Sequence, residues 1–143
     1  MPDDVQFSRD GQTRIEFTAW THSYFAYKSI GTQVQVRRKG TSTFLFWTRT
    51  TWDATPASSI QITNRYSGLP GPISQQRSGS NTGDLDLKEW AVGASITIQG
   101  GGSPVSPGAV LDLHWVSGIA SVVLPDGESF TLHATAGSGA PPS

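Results

Sequence analysis

At 143 residues the chain fits one domain with one hydrophobic core. It has no cysteine, which excludes disulfides, a thiolate nucleophile and sulfur-ligated zinc. A formal net charge of -1 exerts no long-range pull on nucleic acid or on an anionic surface, and no run of apolar residues approaches the length of a membrane-spanning helix.

Charge makes up 15% of the residues, below the roughly 25% of ordinary domains, and polarity comes instead from fifteen Thr and eighteen Ser. Residues 1–77 carry nine of the ten Lys and Arg, against five acids; the remainder carries Lys88 and six acids. The charged, non-apolar first residues lead us to expect a cytoplasmic protein, or one secreted without a cleaved signal.

In chain order, TRIEFTAW alternates and places Ile15, Phe17 and Ala19 on one face of a strand. THSYFAYKSIG offers a short aromatic strand, and TQVQVRR turns Val34 and Val36 inward. RKGTS reads as a turn. STFLFWTRTTW, apolar on both faces, reads as a central strand covered on each side. SSIQIT alternates through Ile60 and Ile62. NRYSGLPGPISQQRSGSNTGD reads as a wandering surface loop with a brief edge strand near Ile73.

DLDLKEW supplies Leu85 and Leu87, with one possible helical turn at LKEW, and ASITIQ alternates through Ile96 and Ile98. GGGSPVSPG is a flexible connection. AVLDLHWV and SVVL precede Pro125-Asp126-Gly127, a strong hairpin signal, and ESFTLHA completes the last strand. About eight to ten short strands at this spacing predict an all-β chain: a two-sheet antiparallel β-sandwich, jelly-roll-like. We expect a single domain over residues 1–143 with a flexible tail from about residue 137.

No catalytic set emerges. Asp112 and His114 share a strand face, but a serine triad needs a third group that sequence cannot place. His22, His114 and His133 are far apart in sequence, and neither Asp84–Asp86 nor Asp126–Glu128 has the spacing of a calcium loop, so no metal or other cofactor is expected. The patch Arg37-Arg38-Lys39 with nearby aromatics could stack nucleic-acid bases, but so short a cluster is better read as protection of a strand edge, and no nucleic-acid partner is expected. Four aromatics in WTHSYFAY suit a lipid interface as well as they suit a core, which keeps a membrane-active reading open.

The strongest functional signal is five Trp in so short a chain. An indole face stacks on a sugar ring while Asp, Arg and Asn hold its hydroxyls. Candidate ligand-binding residues are Trp47, Arg49, Trp52 and Asp53 in FLFWTRTTWD, then Trp90, then Asn64, Arg65 and Tyr66 in NRYSG, which we expect at the opposite end of the subunit. Trp20 is a candidate for ligand or subunit contact, and Trp115 for the core.

The leading expectation is a non-catalytic, metal-independent carbohydrate-binding lectin. Shallow sites would gain avidity by assembly into a homo-oligomer, a dimer or trimer. The alternative is a structural or interaction subunit (capsid, fibre-tip or toxin-associated) whose aromatics make subunit contacts, with a membrane-active or pore-forming protein behind it.

Overall fold

A computed structural model describes the backbone of residues 2–23, 28–69, 73–79, 83–92, 95–99 and 112–137, and the side chains of residues 2–22, 29–67, 74–79, 83–89 and 113–137. The expected aromatic strand at 24–27, the connection at 100–108 and the tail at 138–143 lie outside the described residues. All described regular structure is β.

Sheet A runs in the order β1 (Asp4–Phe7), β2 (Thr13–Ser23), β3 (Lys28–Phe44), β7 (Asp84–Val92), β8 (Ser95–Gln99), and β4 (Trp47–Ala54) pairs with β3 off this path. Sheet B runs β10 (Ser129–Gly137), β9 (Asp112–Val123), β5 (Ser59–Leu69), β6 (Ile73–Gly79). Every pairing is antiparallel, and β2 and β3 face β9 and β10 across the interior. The antiparallel sandwich is therefore as the strand spacing implies. Jelly-roll connectivity is not established by this order.

The alternating residues do what their period requires. Ile15 and Phe17, Val34 and Val36, Ile60 and Ile62, and Leu85 and Leu87 all enter one buried cluster with residues of β9 and β10. A second cluster joins Ile30, Tyr66, Leu113 and Val116. The β9–β10 turn forms at Pro125-Asp126-Gly127, where Gly127 takes φ 94° and its N–H donates to the Leu124 carbonyl at 2.9 Å. Asp126 Oδ1 accepts from the Glu128 N–H at 2.9 Å.

Several expectations are corrected. The segment 38–42 is not a turn: β3 continues to Phe44, and the chain reverses at Leu45-Phe46, with Leu45 in the left-handed region at φ 56°. Gly40 is a strand residue paired with Thr51. The stretch 43–50 is not a covered central strand, because among the described residues β4 pairs with β3 alone and residues 41–50 are all exposed. LKEW lies in β7, with no helical turn.

NRYSG is no loop either. It extends β5, paired with β9 as far as Leu69 opposite Asp112. Its inward positions are Asn64 and Tyr66, which continue the phase of Ile60 and Ile62, so a buried Asn had disguised the strand. A register shift opposite Ser67 and Gly68 skips His114, and this moves the inward phase of β9 from Leu113 to Val116. Trp115, expected in the core, is consequently only half-buried.

Asn64 holds the two clusters together. Its Oδ1 accepts from the Thr32 hydroxyl at 2.8 Å, and its Nδ2 donates to the Tyr66 hydroxyl at 2.9 Å and the Leu87 carbonyl at 3.2 Å. These bonds offset the cost of burying an amide. The network fits because Gly118 has no side chain: a Cβ there would lie 2.7 Å from Asn64 Oδ1 and 2.9 Å from the Phe17 ring. Gly118→Ala is expected to destabilise the fold by about 1–3 kcal/mol, read as a lower urea midpoint at unchanged slope.

A projecting arm and the cleft at its root

The sandwich ends where β3 passes Val36. There the Val36 N–H donates to the Gly83 carbonyl at 2.6 Å, its carbonyl accepts from the Thr55 N–H at 3.0 Å, and β4 replaces β7 along that edge of β3. On the other edge β2 stops opposite Arg38, with one further bond from the Lys39 N–H to the Gln12 carbonyl at 2.7 Å. Beyond Lys39 the ladder among the described residues is a two-stranded arm.

Along this arm the pairs are Arg38–Asp53, Lys39–Trp52, Gly40–Thr51, Thr41–Thr50, Ser42–Arg49, Thr43–Thr48 and Phe44–Trp47. At about 3.4 Å per residue, Phe44 stands some 20 Å beyond Arg38. The tip is apolar and bare: Phe44 is 74% exposed, Leu45 73%, Phe46 99% and Trp47 76%. Such a contiguous set of large apolar side chains differs in kind from the singly scattered ones of ordinary surfaces.

Trp52 fixes the root. The Arg14 guanidinium lies 4.6 Å over its ring and Phe7 meets it edge-on with centroids 6.1 Å apart, while Arg14 also pairs with Glu16 at 2.8 Å. A sugar stacking on Trp52 must compete with the guanidinium for one face. Trp47, Arg49 and Asp53 share the opposite face of the arm, where Asp53 Oδ2 accepts from the Thr51 hydroxyl at 3.1 Å.

The remaining candidates do not join them. Asn64 and Tyr66, proposed from sequence as ligand contacts, are fully buried and bonded to each other, so they are interior residues. Arg65 is exposed on the outer face of sheet B, and the expected pairing of 43–50 with 59–63 does not exist. The backbone of Trp90 lies opposite Ser29 in β7, and its side chain lies outside the described residues. Trp20 is half-buried, with Nε1 donating to the Ser29 hydroxyl at 3.3 Å.

Sequence reasoning missed a cleft of about 170 Å³ at the root of the arm, lined by Ser8, Asp10, Thr13, Arg38, Thr55 and Asp126 among others. These residues come from three separate chain reversals and the β3–β4 root, so no sequence spacing announces them. The Ser8 hydroxyl donates to Asp10 Oδ1 at 2.5 Å and the Gln12 N–H adds a second bond at 2.9 Å, which hold the Asp10 carboxyl below its usual range. Arg38 Nη1 donates to the Thr13 hydroxyl at 3.4 Å. The lining combines hydroxyls, ionised carboxylate and guanidinium, a set able to hold the hydroxyls of a neutral polar ligand.

Other acids have structural partners. Asp84 pairs with Arg37 at 3.3 Å, and Asp86 with both Arg77 and Lys88 at 3.5 Å. Among the described residues no three His, Cys, Asp or Glu converge on a metal-sized site, and no helix is long and apolar enough to cross a membrane. Comparison with protein-family models, with curated proteins and with solved structures found no match.

Glu89 is the one fully buried acid among the described residues, with Oε1 accepting from Gln75 Nε2 at 3.3 Å. Burial pushes its carboxyl from 4.5 up to about 7. The folded state thus keeps a proton that the unfolded chain has released, and stability from this group falls as pH rises between those two values. Glu89→Gln is expected to flatten that slope and to gain of the order of 2–3 kcal/mol at pH 8 relative to pH 5, measured by denaturant unfolding.

Proposed function

We propose that this protein is a non-catalytic binding module that attaches to another surface through the tip of its β3–β4 arm. The observation that carries the reading is the exposed run Phe44-Leu45-Phe46-Trp47 at the end of a hairpin fixed at its root by Trp52, Arg14 and Phe7. An apolar tip on a braced stem brings large contact area without ordering a loop on binding, which favours affinity. The engagement of Asp84, Asp86, Asp126 and Glu89 in ion pairs, a turn and the interior supports a binding role over catalysis.

Carbohydrate recognition is the second reading, favoured by the cleft at the arm root and by Trp47, Arg49 and Asp53 on one face of the arm. A lectin of this kind would act as a dimer or trimer, and a glycan array with and without chelator tests it. Asp10→Ala abolishes sugar binding if the ligand sits in the cleft, and Trp47→Ser abolishes it if the ligand stacks on the arm.

The double variant Phe46→Ser/Trp47→Ser tests the primary reading. Both side chains are exposed, so unfolding should shift by less than about 0.5 kcal/mol. Binding should nonetheless collapse in whichever of three assays the wild type is active: vesicle co-sedimentation, self-association by sedimentation velocity, or glycan-array binding. Undiminished binding by the folded variant contradicts the proposal.

A further inference from the structure

We infer that the surface engaged by the arm is an anionic lipid interface, into which the tip dips without crossing; this rests on the reading of the arm as the attachment element. The first support is the layering of side chains along the hairpin. Phe44, Leu45, Phe46 and Trp47 cap it, Thr43–Thr48 and Ser42–Arg49 follow, then Thr41–Thr50, Gly40–Thr51, Lys39–Trp52 and Arg38–Asp53. With the tip in the acyl boundary, Arg49 stands about 7 Å above Phe44, at headgroup depth, and Lys39 about 17 Å above it, over the surface. Interfacial segments bury their apolar part by about 5–10 Å, which matches a four-residue cap backed by hydroxyls.

Charge complementarity is the second support. Along the arm from Arg37 to Ala54 the sequence holds Arg37, Arg38, Lys39 and Arg49 against one acid, Asp53, which lies opposite Arg38. Arg37 is occupied by Asp84 at 3.3 Å, and the exposed charges left on the stem are Arg38, Lys39 and Arg49 against Asp53, a net positive set. Each cation close to a negative leaflet adds attraction that fades within a Debye length.

The third support is the shape of the tip. Phe44 and Trp47 share one face while Leu45 and Phe46 make the reversal itself, so apolar groups point outward around the end of the hairpin. An apolar medium accommodates all of these directions, whereas a groove on a protein accepts one face. Trp47 beside hydroxyls also suits the amphipathic preference of indole for the membrane boundary. Spanning does not fit: both faces of the stem from 40 to 43 and 48 to 51 carry hydroxyl or charged groups or Gly, without the alternating apolar face of a lipid-embedded strand.

Co-sedimentation of the full chain with two vesicle types tests this: phosphatidylcholine alone, and phosphatidylcholine mixed with phosphatidylserine. We expect binding to the anionic vesicles, weakened about tenfold on neutral vesicles or in high salt. Arg49→Glu should weaken it by at least about tenfold. Phe46→Ser/Trp47→Ser should weaken it by about 100-fold while circular dichroism stays unchanged.

Folded wild type that ignores both vesicles overturns the lipid assignment, as does a double variant that still binds them fully. If vesicles are ignored but self-association is present and lost in the double variant, the lipid assignment fails and the arm remains the attachment element. If self-association or glycan binding is present and survives the double substitution in protein that ignores vesicles, both readings fail.

Discussion

Sheet A can be covered only as far as sheet B reaches, and β3 runs beyond that limit. Its inward positions begin as Ile30, Thr32, Val34 and Val36, all buried, and continue in the same phase as Arg38, Gly40, Ser42 and Phe44. Composition changes where cover ends: the residues beyond Val36 are charged, hydroxylated or small until the tip. The return of apolar residues at 44–47, at the point farthest from the interior, is what no requirement of folding explains. A strand need not end on four exposed large side chains, and a left-handed Leu45 costs roughly 1–2 kcal/mol. That expense is intelligible if the tip binds something.

The sandwich below serves as a rigid base. Its interior is not purely apolar: Thr32, Asn64, Tyr66 and the Leu87 carbonyl form a bonded chain between sheets, and Gln75 meets Glu89 nearby. Such a network tolerates little displacement of one sheet on the other, since each buried group that loses its partner carries a desolvation cost. At the other end the Phe7–Trp52–Arg14 stack ties β1, β2 and β4 together on the outer face of sheet A. The arm therefore leaves a fixed root, and the polar cleft lies beside it.

The alternating strands were legible in the sequence because one face of each is buried by the other sheet, so Ile15 and Phe17, Val34 and Val36, and Ile60 and Ile62 obey period two. Asp126-Gly127 was legible because turn chemistry is local. The length of β5 was not, because its third inward position is Asn64, whose polarity is tolerated only through partners on β3 and β7. The arm was hidden by Gly40, which resembles a turn residue yet sits in a strand opposite Thr51. The phase change at His114 was equally invisible, since a bulge leaves no compositional trace.

Of the candidate site, the shared face of Trp47 and Arg49 followed from alternation alone. Whether those side chains met solvent, a second sheet or a partner depended on where sheet B stops, and that is a tertiary property. The cleft at the root is assembled from residues as distant as Ser8 and Asp126, and only folding brings them together.

The most direct test of the central claim is the solvent exposure of Trp47 in dilute protein, taken as the difference in acrylamide quenching and emission between the wild type and Trp47→Phe. The component lost in the variant should emit like indole in water and be strongly quenched. A lost component that is blue-shifted and shielded from acrylamide would mean that the tip is covered in the free protein, and the account of an exposed attachment arm would be wrong.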